Sequence, residues 1–152
     1  MALVGIISDT HGLLRPEALA ALAGVFHILH AGDIGAPDIV PRLAEIAPVT
    51  AIAGNIDTED WAGAFPETVT LDLMGRRVHM LHDRKALALD PAADAVDLVI
   101  AGHSHKPGHE RADGVLFLNP GSAGPRRFRL PVTLAVMDFS APVLEPVFRD
   151  LV

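Results

Sequence analysis

No cysteine occurs among the 152 residues. That absence removes a disulfide framework, a thiolate nucleophile and a zinc–thiolate site together. Long apolar runs are missing too. Half the residues are hydrophobic, yet no run reaches the ~20 residues of a membrane span. The opening Met1-Ala2-Leu3-Val4-Gly5-Ile6-Ile7 lacks a basic leader and runs straight to Asp9, which is not a secretory-signal pattern. The expectation is a soluble, cytoplasmic protein with no membrane partner. Positive charge is scarce: 12 Lys and Arg face 19 Asp and Glu, a formal net charge of −7. Such a chain is a poor non-specific binder of nucleic acid, and a nuclease reading finds no basic groove. There is no internal repeat, low-complexity segment or linker. The length points to one domain over 1–152, large enough to fold without a staple.

What is present is a series of short apolar runs. Leu3 to Ser8, Val25 to His30 and Val49 to Ala53 read as buried strands. Helices Pro16 to Leu22 and Pro37 to Ile46 lie between them, each opened by proline. This alternation predicts a parallel sheet. The second half is mainly β. Runs Val69 to Leu73 and Arg77 to Leu81 flank Met74-Gly75-Arg76. Ala92 to Ala95 is at most one helical turn. Leu98 to Ala101 is a further buried strand. Gly108 to Arg111 and Val115 to Asn119 flank the turn dipeptide Asp113-Gly114. Thr133 to Asp138 and Val143 to Phe148 form a last pair. The order fits an α/β fold: a four-layer α-β-β-α sandwich of two mixed sheets with flanking helices.

Metal-ligand residues close these runs. They are Ser8-Asp9-Thr10-His11, Gly32-Asp33, Gly54-Asn55, His82 and Gly102-His103-Ser104-His105. In open α/β sheets, ligands bind beyond the carboxyl ends of strands, so distant residues would converge on one rim. Each piece alone has a plainer reading. Asp9 and His11 also fit a helix N-cap and a surface His. Asp33 and Asn55 fit turns, and a lone His82 fits a structural role. Together they are the ligand set for two divalent cations sharing one carboxylate, the equipment for cleaving phosphate esters. Carboxylate with imidazole suits Mn, Fe, Co, Ni or Zn rather than Ca.

The ordered set resembles the calcineurin-like metallophosphoesterase superfamily, in particular its small single-domain bacterial and archaeal phosphodiesterases. The likeness runs from Ile6 to about Arg129 and takes in Asn119-Pro120-Gly121-Ser122. It implies Asp9, His11 and His105 on a first metal, and Asn55, His82 and His103 on a second, with Asp33 bridging. Asp33, Asn55 and His103 carry the catalytic assignment. The two cations would be manganese first, with nickel, iron, cobalt or zinc as alternatives. A hydroxide between them would attack phosphorus in line. The partner implied is a small phosphodiester; a homodimer is a further expectation. A phosphomonoesterase on the same site is one alternative. Another is a non-catalytic scaffold, because the superfamily includes a retromer subunit that serves protein assembly.

The chain also departs from its relatives. Many carry His or Cys after the Gly-Asn pair, and where it is His it protonates the leaving oxygen. Here Ile56 cannot. Good leaving groups are therefore expected to be favoured. Asp57 reads either as a partner orienting a ligand or as a turn residue. Asp83 follows His82 where relatives often have Gly, and Asp83 to Val96 is short for the helix usual there, so a wider mouth is expected. Arg126, Arg127 and Arg129 fit either a substrate-phosphate role or a solvated edge. His27, His30, His79 and His109 are expected to be structural or exposed, with His30 the best placed for more. Trp61 and Phe65 fit the substrate mouth, a subunit contact or ordinary packing.

Overall fold

The computed structural model describes residues 1–152. Its elements run β1 (Leu3–Ile7), α1 (Pro16–Ala21), β2 (His27–His30), α2 (Ile39–Ala44), β3 (Val49–Ala51), β4 (Thr68–Leu73), β5 (Arg76–Leu81), β6 (Leu98–Ile100), β7 (Gly108–Ala112), β8 (Val115–Asn119), β9 (Thr133–Asp138) and β10 (Val147–Asp150). Short 3-10 turns at Asp60–Ala64 and Arg84–Ala86 complete the set. No helix is long and apolar enough to cross a membrane.

Two five-stranded mixed sheets form, in the orders β10-β9-β1-β2-β3 and β4-β5-β6-β8-β7. Strands β1, β2 and β3 are parallel in the first, and β5, β6 and β8 are parallel in the second. Alternation along each strand sends side chains to opposite faces. Val4 and Ile6 of β1, Leu29 of β2, Met80 of β5 and Ile100 of β6 fill the space between the sheets. Their neighbours Ile7 and Ile28 face outward, onto Ala18 and Leu22 of α1 and Ile39 and Leu43 of α2. Full burial of such a side chain contributes about 1.5–3 kcal/mol. On the far side of the second sheet, Val99 and Val115 are covered by Val96, Leu87 and Leu89. That fourth layer is thin. It holds one 3-10 turn and no α-helix, as the short Asp83-to-Val96 segment foreshadows.

Most boundaries differ from the sequence reading by one to three residues, for local reasons. The second helix starts at Ile39 and tolerates Pro41 because that position lies in its first turn, where no N–H donor is needed. The first hairpin turn is tighter than expected. Arg76 pairs with Leu73, so the turn is Met74-Gly75 alone, both residues at positive φ, which matches a two-residue type I′ turn. The last strand is not Val143 to Phe148. Pro142 and Pro146 have no N–H to donate to a ladder, so β10 begins at Val147 and pairs it with Val136 of β9. Leu144 instead drops into the core between the sheets.

Candidate metal centre

The loops that leave β1, β2, β3, β5, β6 and β8 are stitched together by their backbones. Asp9 N–H donates to the Gly32 carbonyl at 3.0 Å, and His11 N–H to that of Asp33 at 2.9 Å. Gly102 N–H donates to the His82 carbonyl at 2.9 Å, and Ala123 N–H to that of Ser8 at 3.0 Å. Two glycines permit the close approach. A Cβ on Gly54 would collide with Asp33, and a Cβ on Gly102 with Ser8 and Asp9.

Five of the expected ligand residues adopt left-handed backbone: Asp9 (φ 56°), His11 (46°), Asp33 (54°), His103 (70°) and His105 (62°). That conformation costs an L-residue about 1–2 kcal/mol. Its concentration on one rim is the kind of strain functional sites hold.

The ligating atoms fall into two tight groups. Those of Asp9, His11 and His105 lie within 4.8 Å of one another, as do those of Asp9, Asp33 and His82. His105 Nε2 is 3.4 Å from Asp9 Oδ1, and His11 Nε2 is 3.7 Å from the same oxygen. Asp33 Oδ2 lies between the groups, 3.4 Å from His11 Nε2 and 3.1 Å from His82 Nε2. Only one oxygen of each carboxylate is free. Asp33 Oδ1 accepts from Ile56 N–H at 3.1 Å. Asp9 Oδ2 accepts from Ser8 Oγ at 2.7 Å and from His103 N–H at 3.1 Å. His103 belongs to neither tight group. Its side chain is about half exposed, its Nε2 is 3.9 Å from Asp83, and its ring centroid is 5.2 Å from that of His82. Asn55 is exposed and lines a cavity of about 380 Å³ together with His82 and His103. Asn55 and His103 thus stand at the mouth, outside the cluster of the other five.

The donor set fits divalent cations. Asp9 Oδ1, His11 Nε2, His82 Nε2 and His105 Nδ1 are buried with no hydrogen-bond partner, an arrangement that is costly unless something else satisfies it. His82 Nδ1 donates to the Ala31 carbonyl at 2.8 Å, which leaves the Nε2 lone pair facing the carboxylates. The electrostatics agree. Burial pushes the Asp9 carboxyl up, but the facing imidazoles of His105 and His11 and the Ser8 hydroxyl outweigh it and hold the pKa far below the usual range. Asp33 is likewise lowered, burial being outweighed by His82 and Ile56 N–H. His82 is raised, because the nearby Asp33 carboxylate and the Ala31 carbonyl overcome its burial. Two anionic carboxylates therefore draw positive charge to one point.

A second ring of residues fixes the first. Asp57 accepts from Ile34 N–H, Gly35 N–H and Gly54 N–H, each at 2.9 Å. It clamps the Asp33 loop to the Asn55 loop. Asn119 Nδ2 donates to the Gly102 carbonyl and to Ser104 Oγ, both at 3.0 Å, and Ser122 Oγ donates to the Asp9 carbonyl at 3.0 Å. That explains what the Asn119-to-Ser122 stretch does. Ser8, Thr10 and Ser122, all buried, carry this second ring. For Ser8 and Thr10 the signal in sequence is a small hydroxyl on either side of Asp9.

His30 is fully buried and neutral. Thr10 Oγ1 donates to the Ile34 carbonyl at 2.8 Å, so its oxygen accepts from His30 Nε2 at 3.1 Å. His30 Nδ1 accepts from Gly32 N–H at 3.1 Å. Burial lowers its pKa to about 4, against the pull of Asp9 and Asp57. The unfolded chain takes up a proton below about pH 6.5 while the folded chain does not. Stability from this residue is thus complete above that pH and is lost as pH falls toward 4, by on the order of 3 kcal/mol. In chelator, urea unfolding of wild type should steepen with falling pH over this window relative to His30→Gln. Parallel pH profiles would refute the assignment.

The remaining singled-out residues lie apart. His27 pairs with Thr50 at 2.8 Å and His79 with Thr70 at 2.7 Å. His109 is exposed. Arg126, Arg127 and Arg129 are exposed on a turn. Trp61 and Phe65 pack on the helix side of the first sheet.

Comparison with known proteins agrees with this geometry. The family model described as the calcineurin-like phosphoesterase superfamily domain matches residues 2–141. A probable metallophosphoesterase of Methanothermobacter thermautotrophicus is 35% identical over 132 residues, 79% of this chain and 76% of that protein. Phosphodiesterase MJ0936 of Methanocaldococcus jannaschii is 27% identical over 154 residues, 89% of this chain and 92% of its own length. Among solved structures, Vps29 of Chaetomium thermophilum superposes with a TM-score of 0.77 at 18% identity, over 100% of both chains.

Proposed function

The chain belongs to the calcineurin-like phosphoesterase superfamily, and we propose that it is a phosphodiesterase built as one domain over 1–152, using two divalent cations. The observation that carries this reading is the buried cluster of Asp9 Oδ1, His11 Nε2 and His82 Nε2, none with a hydrogen-bond partner, beside the free Oδ2 of Asp33. Asp9, His11 and His105 would hold one cation, and His82, Asn55 and His103 the other, with Asp33 shared. Manganese is the first choice, ahead of nickel, iron, cobalt or zinc. Such a pair supplies Lewis-acid neutralisation of phosphate charge and activation of water. The chain's own residues do the rest. Asp9 and Asp33 fix the anionic centre. Asn55 and His103 bring N–H donors to the mouth, where we assign them to the phosphoryl oxygens. The similarity to a phosphodiesterase supports a diester over a monoester.

The test is metal reconstitution with paired mono- and diesters. Diesters should be cleaved at least tenfold better than matched monoesters. Preference for monoesters would establish a phosphomonoesterase instead. No hydrolysis of either with every cation would leave a non-catalytic scaffold of the same fold.

Ile56 sets the leaving-group dependence. Its N–H is committed to Asp33, and its side chain is exposed with no proton to give. Rates should fall steeply as leaving-group pKa rises, so aryl diesters should outpace alkyl ones. A positioned acid is worth about 10²–10⁴-fold in a native site. A grafted, untuned one in Ile56→His should raise alkyl-ester turnover by about tenfold, well short of that range. A flat plot of rate against leaving-group pKa in wild type would sink this idea.

A further inference from the structure

The chain has only two lysines, Lys85 and Lys106, and both line the same cavity. This cavity, about 860 Å³, lies on the outer face of the second sheet, next to the metal centre. It shares Asp83 and His103 with the smaller cavity that holds Asn55 and His82. The thin fourth layer creates it. Leu87, Leu89 and Phe117 pack over Val99 and Ala101 on that face, and Phe117 is the apolar surface left at the cavity's floor. Arg84, Lys85, Lys106 and Glu110 line its sides.

The charges are not equivalent. Arg84 is committed, with its guanidinium 2.5 Å from Glu110 and 4.1 Å above the Phe117 ring. It fixes the wall. Asp83 faces His103 at 3.9 Å. The ammonium groups of Lys85 and Lys106 have no carboxylate partner. In a chain of net charge −7, both lysines thus stand free around a concave, apolar-floored space that opens onto His103. Its volume lies within the range of about 300–1,000 Å³ typical of small-molecule sites, and exceeds what a phosphoryl group needs.

We propose that this cavity binds the ester arm beyond the scissile phosphate, and that this arm bears a second phosphate-like anion held by Lys85 and Lys106. The inference rests on the phosphodiesterase reading. The substrate class is then a small diester whose arm combines a ring or hydrocarbon body, seated against the Arg84–Phe117 stack, with an anionic end.

The test is calorimetric binding to manganese-loaded protein, using thymidine 3′,5′-bisphosphate and thymidine 5′-monophosphate. Wild type should bind the bisphosphate at least tenfold more tightly. The Lys85→Ala/Lys106→Ala double variant should lose that preference, and Lys85→Arg/Lys106→Arg should keep it. The corresponding p-nitrophenyl diesters, with and without the 3′-phosphate, should show the same ratio in kcat/KM. Equal affinities in wild type, or a preference that survives the double alanine change, would overturn the proposal. The two readings fail separately. Lysine-dependent bisphosphate binding without hydrolysis leaves the subsite and removes the phosphodiesterase. Hydrolysis without the preference does the reverse.

Discussion

Asp33→Asn should lose its bound metal pair and about a thousandfold in kcat/KM toward an aryl diester, since the site's cations supply several kcal/mol and each 1.36 kcal/mol is tenfold. Asparagine is the sharper substitution because Asp33 sits at φ 54°. Asn tolerates that backbone better than Ala, and its side-chain oxygen still accepts from Ile56 N–H. What it removes is the charge on Oδ2, the oxygen 3.4 Å from His11 and 3.1 Å from His82. Asp33→Ala should lose as much activity and pay an added backbone cost. Two readouts separate site from fold. Circular dichroism of the metal-free variant should match wild type. Added manganese should raise the melting temperature of wild type and leave the variant unmoved, since only a bound cation contributes RT ln(1 + [L]/Kd), about 2.7 kcal/mol at a hundredfold excess over Kd. A variant that retains two metals per chain by elemental analysis, with activity intact, would remove Asp33 from the shared position.

The order of the candidate ligands along the chain was legible because each closes an apolar run, and an apolar run that ends in a polar pair must leave the sheet there. Asp9, Asp33, His82 and His105 follow that rule and meet. The two-sheet architecture was legible for the same reason, through turn chemistry at Asp113-Gly114 and strand–helix alternation before it. Other features depend on backbone geometry that residue types do not report. His103 and His105 share a left-handed φ and are separated only by Ser104, yet one side chain stands at the mouth and the other points inward. Asn55 and His103 were placed beside His82 on one metal, yet both stand further out than His82 does. Which oxygen of Asp33 is free follows from Ile56 N–H, a donor every residue but proline has. The shift of the last strand to Val147 could have been read from Pro146, whose missing N–H rules out an earlier ladder. The family likeness and the cluster geometry point the same way. One comes from 2–141 as a pattern, the other from atoms without partners.

Asp57 offers a different separation, between a ligand and the residue that aims it. Its carboxylate is nearly buried and holds three backbone N–H groups from two loops. Its own N–H donates to the Gly54 carbonyl at 3.1 Å, so it is a turn residue and a clamp at once. Hydrogen bonds to a charged acceptor contribute about 1.5–3 kcal/mol each, but they are not additive and water reaches part of this loop. Asp57→Ala should therefore lose about 3 kcal/mol of stability by urea unfolding, which corresponds to about 6–12 °C in melting temperature for a chain of this length. Loss of a group that orients ligands weakens metal by about 10–100-fold. Unlike Asp33→Asn, no ligand atom is gone, so saturating manganese should restore most of the activity of Asp57→Ala. Asp57→Asn should fall between, because its amide nitrogen faces a backbone N–H where an acceptor is needed. Wild-type stability and metal affinity in Asp57→Ala would mean the two loops hold their places without the clamp. Activity that stays lost at saturating manganese would mean that Asp57 acts on the substrate directly.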